Sequence, residues 1–90
     1  MPITQTAYTI TTSVTQVVAP DFQPQQVTLH NLEDVAGRKI WIGGPSLTAG
    51  SSVEINTTVF LQMTLGPGDS LYAVTSSGSY GLGVMIQKQD

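Results

Sequence analysis

Charge is unusually scarce in this sequence. Asp, Glu, Lys and Arg make up 10% of its 90 residues, against about 25% in an ordinary domain. Solvent-facing positions must therefore be filled by Thr, Ser, Gln and Asn. Only three residues are Lys or Arg: adjacent Arg38 and Lys39, and the distant Lys88. With no basic stripe and a net charge of −3, no nucleic-acid partner is expected, because phosphate binding needs clustered cations. Cysteine is absent, which removes disulfides and thiolate metal sites from consideration. No apolar run approaches the roughly 20 residues of a membrane-spanning helix, so no membrane association is expected. The opening MPITQTAYTITT lacks a basic start and an apolar core, and predicts a soluble chain without a cleaved leader. Helical periodicity is missing as well.

What remains is a period of two. A chain of this length is one domain, and its apolar residues alternate with polar ones, the mark of half-buried strands. Tyr8, Ile10, Val14 and Val18 share one parity of a Thr-rich stretch. This predicts a long extended segment that either bends into two strands or reaches outside its own domain. Ala19-Pro20-Asp21-Phe22-Gln23-Pro24 breaks it, since two prolines exclude helix and central strand. We therefore expect an extended N-terminal arm over residues 1–25 and a body over 26–90.

In the body, Val27 and Leu29 point inward and His30 outward. In Lys39–Ile42 the two isoleucines share a face opposite Trp41. Val53 and Ile55 oppose Glu54 in a strand from Ser52 to Asn56. Leu61, Met63 and Leu65 form a further stripe, as do Tyr80, Leu82, Val84 and Ile86. Gly81 and Gly83 oppose that last stripe, where they weaken the strand or admit another backbone closely. Gly66-Pro67-Gly68-Asp69, between two apolar runs, reads as the turn of a β-hairpin. About seven short strands with frequent turns predict an all-β fold, a small antiparallel sandwich or barrel. Any helix is confined to a turn near Leu32–Ala36.

Candidate chemistry is thin. His30 is the only histidine; no G-x-S-x-G elbow accompanies it, and zinc needs more ligands. Asp69 lacks the surrounding carboxylates calcium favours and suits a role bonding its own turn. Gly78–Gly83 has the spacing G-x-x-G-x-G before a strand, not the dinucleotide fingerprint before a helix. The sequon Asn56-Thr57-Thr58 is expected to be idle. No cofactor, metal or small-molecule substrate is therefore expected. Trp41 suits either the core or an interface, where tryptophan is enriched.

Strand edges left without charges invite other strands. The low charge and the Thr-rich arm together predict a subunit of an assembly. Tyr8, Ile10, Val14, Phe22 and Trp41 are the candidate partner contacts.

Three stretches carry a family resemblance: Val27-Thr28-Leu29-His30-Asn31, Ile40-Trp41-Ile42-Gly43-Gly44-Pro45-Ser46-Leu47-Thr48, and Leu65-Gly66-Pro67-Gly68-Asp69-Ser70-Leu71-Tyr72-Ala73-Val74. In this order they resemble small β-domains of tailed-phage virion structural proteins, capsid decoration or head-fibre pieces among them. Trp41 stands where that pattern has Tyr, and the glycine-rich loop is shortened to Ala49-Gly50. The match spans Gln26–Ile86. The resemblance implies a non-enzymatic virion component. We expect a capsid decoration (cement) protein, assembled in the host bacterial cytoplasm. It would bind the major capsid protein on the outer capsid surface as a homotrimer. The alternative it leaves open is a tail or fibre module that binds a host receptor or glycan through Trp41 and Tyr80.

Overall fold

The structure is a computed structural model that describes residues 3–35, 37–47, 53–57 and 59–88. Pro2, Ala36, Thr48-Ala49-Gly50, Ser52 and Thr58, which figured in the expectations above, lie outside the described residues. The chain forms eight strands: β1 (Ile3–Ile10), β2 (Thr15–Val18), β3 (Gln25–Asn31), β4 (Ile40–Gly43), β5 (Val53–Ile55), β6 (Phe60–Leu65), β7 (Leu71–Val74) and β8 (Tyr80–Lys88). Among the described residues there is no helix. The all-β expectation holds, as a sandwich of two four-stranded antiparallel sheets ordered β1-β8-β3-β6 and β2-β7-β4-β5. This is jelly-roll connectivity.

The pairing is nested. β1 pairs with β8, β2 with β7, β3 with β6 and β4 with β5. The chain behaves as one long hairpin whose tip lies between β4 and β5, folded over so that on either side of the tip successive strands alternate between sheets. Two lateral ladders, β3 with β8 and β4 with β7, complete the sheets.

Gly66–Asp69 is accordingly not a hairpin turn. β6 and β7 belong to opposite sheets, and the link between them turns a corner. Residues 66–70 can reach at most about 16–18 Å, ample for the ~10 Å between packed sheets. The local turn chemistry is as expected: Gly68 has a φ of 84°, and the Asp69 carboxylate accepts a bond from the Gly66 amide at 3.2 Å. What decides between hairpin and corner is burial. Leu65 and Leu71, at the two ends of the link, both enter the core. Inward side chains from facing sheets achieve that.

Residues 3–18 likewise are not an arm standing outside the body. They form β1 at the edge of one sheet and β2 at the edge of the other. The expected stripe is broken at Val14, which is exposed in the link between them. A register shift between Gln16 and Val18 is a bulge, and it turns both Val17 and Val18 inward.

One core joins the sheets. Ile10, Val27, Leu29, Leu65, Leu82 and Val84 come from the long sheet, and Val17, Val18, Ile40, Ile42, Ile55, Leu71 and Ala73 from the short one. Asn31 is buried at one end of this core. Its Nδ2 donates to Arg38 O at 2.7 Å and to Ile55 O at 3.1 Å, and its Oδ1 accepts from the Glu33 amide at 3.0 Å. A long-sheet residue is thereby bolted to β5 of the other sheet.

Candidate functional site

The two sheets differ in length, and the candidate site follows from that. The strands of the long sheet run to eight, nine, seven and six residues, against four, four, four and three in the short sheet. The long sheet therefore overhangs its partner. At the start of β1 even Thr4 and Thr6, which share the parity of the half-buried Tyr8, remain exposed.

The outer face of the long sheet is organised in rows that the register defines. One row runs Ile3, Gln87, Gln26, Thr64, the next Gln5, Met85, Thr28, Gln62, and the third Ala7, Gly83, His30, Phe60. None of these positions carries Asp, Glu, Lys or Arg. Gly83, between Ala7 and His30, floors an open trough of about 430 Å³ that Met85, Thr28 and Phe60 help to line. Leu32 lies across Gly81 and Gly83: a Cβ added at either glycine would meet its side chain at 3.4 Å. What comes close to these glycines is thus the Leu32 side chain and not another backbone. His30 and Phe60, directly opposite in the ladder, stack with centroids 4.2 Å apart. Phe60 is 65% exposed.

The edges differ in protection. β5 has only three residues, one of them Glu54, which pairs with Lys39 at 3.7 Å. β2 is short and carries the bulge. Both are blunted in the way native edges usually are. β1 and β6, the two edges of the long sheet, have no charge, proline or bulge in ITQTAYTI and FLQMTL. Among the described residues no strand pairs with their outer sides.

The candidate contacts taken from sequence are dispersed. Ile10, expected to face a partner, is 0% exposed and belongs to the core. Tyr8 packs against that core. Trp41 is half-buried on the outer side of the short sheet, opposite Ile40 and Ile42. Val14 and Phe22 are exposed in the links before and after β2, hence at opposite ends of the sandwich. Phe22 stands out at 99% exposure, beside Pro20, Pro67 and Gly68. Tyr80 packs on the core side with the Arg38 guanidinium 5.7 Å from its ring centroid. It shares no surface with Trp41. Phe60 was not singled out from sequence, although the parity that sends Leu61 inward also sends Phe60 outward.

One ion pair and one hydrogen bond tie links to β8. Lys88 reaches Asp21 at 2.7 Å, and the Gly68 amide donates to Asp21 O at 2.8 Å. Glu33 accepts from the Gly81 amide at 2.9 Å and pairs with Arg38. The Lys88 hydrogen bond, then the Gln23 amide, hold the Asp21 carboxyl below its usual range. The Gly81 amide, then Arg38, do the same for Glu33. Both carboxyls are lower in the folded chain than in the unfolded one, so their contribution is present above the unfolded values of 3.8 and 4.5. It is lost as pH falls through the folded ones. Thermal midpoints measured against pH should decline from about pH 4.5 downward. Asp21→Asn with Glu33→Gln should flatten that decline. An unchanged acid slope in the double variant would show that other groups set it.

No known protein family matches the sequence, and no curated protein matches it either. Among solved structures the chain is similar to one from Bacillus endospore appendages, which form a family of disulfide-linked pili. The TM-score is 0.63 at 10% identity, over 99% of this chain and 87% of that one. At that identity the likeness is one of fold.

Proposed function

We propose that this protein is a structural, non-enzymatic subunit that acts by assembling on a larger particle. Specifically, it is a capsid decoration protein, bound as a homo-oligomer, a trimer, to the major capsid protein on the outer surface of a tailed-phage virion. The observation that carries the structural reading is the long sheet. Its outer rows and both its edges are uncharged, which suits a surface that becomes covered. Jelly rolls recur in viral capsid domains, though a fold alone does not assign a function. The similarity to a pilus chain supports an assembling role in the same general sense. Disulfide links between subunits are not open to this chain, which has no cysteine. The virion assignment rests on the three motif stretches, Val27–Asn31, Ile40–Thr48 and Leu65–Val74.

The action on the particle is mechanical. Contacts repeated across capsomer seams raise the barrier to rupture without any chemical step. Phe22 is the apolar side chain best placed to reach a partner, since it packs against almost nothing of its own chain.

The test is to add purified protein to phage particles that lack it. Saturable binding and a higher rupture temperature are expected. Phe22→Ala should keep the thermal midpoint of the free protein. Its binding should weaken about tenfold to a hundredfold, the worth of burying one large apolar side chain. Particles that neither bind the protein nor change in rupture temperature would overturn the virion assignment.

A further inference from the structure

The bare edges of the long sheet are not merely exposed; they match each other. β1 runs antiparallel to β8, β8 to β3, and β3 to β6. β1 and β6 therefore run in opposite directions at the two ends of one sheet. A second copy set beside the first without being turned over brings its β1 antiparallel to the first copy's β6. The alternation then continues across the boundary as though the sheet had eight strands. We infer that copies of this chain join head to tail through the long sheet, β6 of one copy pairing with β1 of the next. This rests on the structural reading above and adds which surfaces meet.

Three observations select this contact over other pairings. The short sheet's edges are blunted, by Glu54 in the three-residue β5 and by the bulge in β2, while β1 and β6 carry no such device. Residues Ile3–Ala7 are exposed throughout and are held by the ladder to β8 alone. A strand on their free side would supply a second ladder. Lastly, pairing β1 with β1 or β6 with β6 about a two-fold axis leaves one bare edge per chain. Only the head-to-tail contact covers both edges of every chain with a single kind of interface. Such contacts close into a ring or run on as a filament. The twist accumulated between neighbouring strands turns each copy relative to the last.

Two variants test this. Thr4→Lys with Thr6→Lys charges β1. Gln62→Lys with Thr64→Lys charges β6. All four positions are exposed, so both variants should keep the native far-ultraviolet spectrum. Light scattering should show the native protein as an oligomer and each variant alone at the mass of one chain, 9.5 kDa. An equimolar mixture should form a dimer and stop there, because the first variant retains a usable β6 and the second a usable β1. That rescue also proves both are folded. A β6 variant that still dimerises alone, a mixture that stays monomeric, or variants that assemble as the native chain does would each overturn the edge contact. So would a native chain that stays monomeric at every concentration. The same samples added to virions separate the two proposals. A native chain that is monomeric but binds particles overturns the edge contact and leaves the virion assignment standing. One that assembles through its edges but binds no particle does the reverse.

Discussion

A chain lacking residues 1–22 should fail to fold. The deletion removes β1 and β2, and with them Ile10, Val17 and Val18, which are 0%, 2% and 1% exposed. Burying such aliphatic side chains is worth about 1.5–3 kcal/mol each, so the three together contribute about 5–9 kcal/mol. A domain of this size has only about 5–13 kcal/mol of net stability to lose. The deletion also strips β8 and β7 of their outer partners and turns these interior strands into edges open to aggregation. The truncated chain should show no cooperative thermal transition by circular dichroism. An arm lying outside the body would give the opposite result, a truncated protein melting at the native temperature, and that outcome would mean β1 and β2 hold nothing together.

Asn31→Ala should destabilise the protein by about 3 kcal/mol. Asn31 is fully buried and its amide serves three backbone groups: the carbonyls of Arg38 and Ile55 and the amide of Glu33. Truncation leaves these groups without that partner, and a buried group left unsatisfied costs about 1–3 kcal/mol. For a domain of this size, each kcal/mol shifts the melting temperature by roughly 4–8 °C, so the expected loss is about 12–24 °C. Asn31→Asp should be worse. It keeps an acceptor for the Glu33 amide but faces two carbonyls without a donor and buries a charge. A melting temperature within about 4 °C of native for Asn31→Ala would show that the bolt between the sheets is dispensable.

Much of the fold was legible in sequence because side-chain parity is a local property. Val27 and Leu29, Ile40 and Ile42, and Leu82 and Val84 point where their alternation sends them. The missing side chains of Gly81 and Gly83 make room for the Leu32 side chain, where another backbone was expected. Pairing was not legible, because a strand's partner is not written in the strand. Gly66–Asp69 has the residues of a tight turn whether it closes a hairpin or rounds a corner between sheets. Only Leu65 and Leu71 entering one core from opposite sides settle it. The reading of an outlying arm failed for a related reason. A plain alternation through Tyr8, Ile10, Val14 and Val18 passes over the bulge that turns Val17 inward with Val18, and over the sheet change at Val14. As for the site, scarcity of charge pointed to unprotected edges, but not to which ones. Rows such as Ala7, Gly83, His30 and Phe60 draw on four strands, and no window of the chain contains them. Asn31 stood within a recurring motif, yet its role depends on Ile55 in the other sheet.

The nested pairing also has a consequence for synthesis on the ribosome. Ile3 pairs with Gln87 and Ile10 with Tyr80, so β1 waits for β8. At about 5–20 residues per second that wait is roughly 4–17 s, during which β1, β2 and β3 have left the ribosome without their full set of neighbours. The pairing order sets the sequence in which partners become available. β4 meets β5 first, β3 then gains β6, β2 gains β7, and β8 closes the long sheet last by sliding between β1 and β3. The nascent chain must therefore keep β1 solvated and unattached throughout. Threonine and glutamine in ITQTAYTI suit such a delay. They hydrate well while the strand is alone, and they leave its backbone free to accept β8 when it arrives.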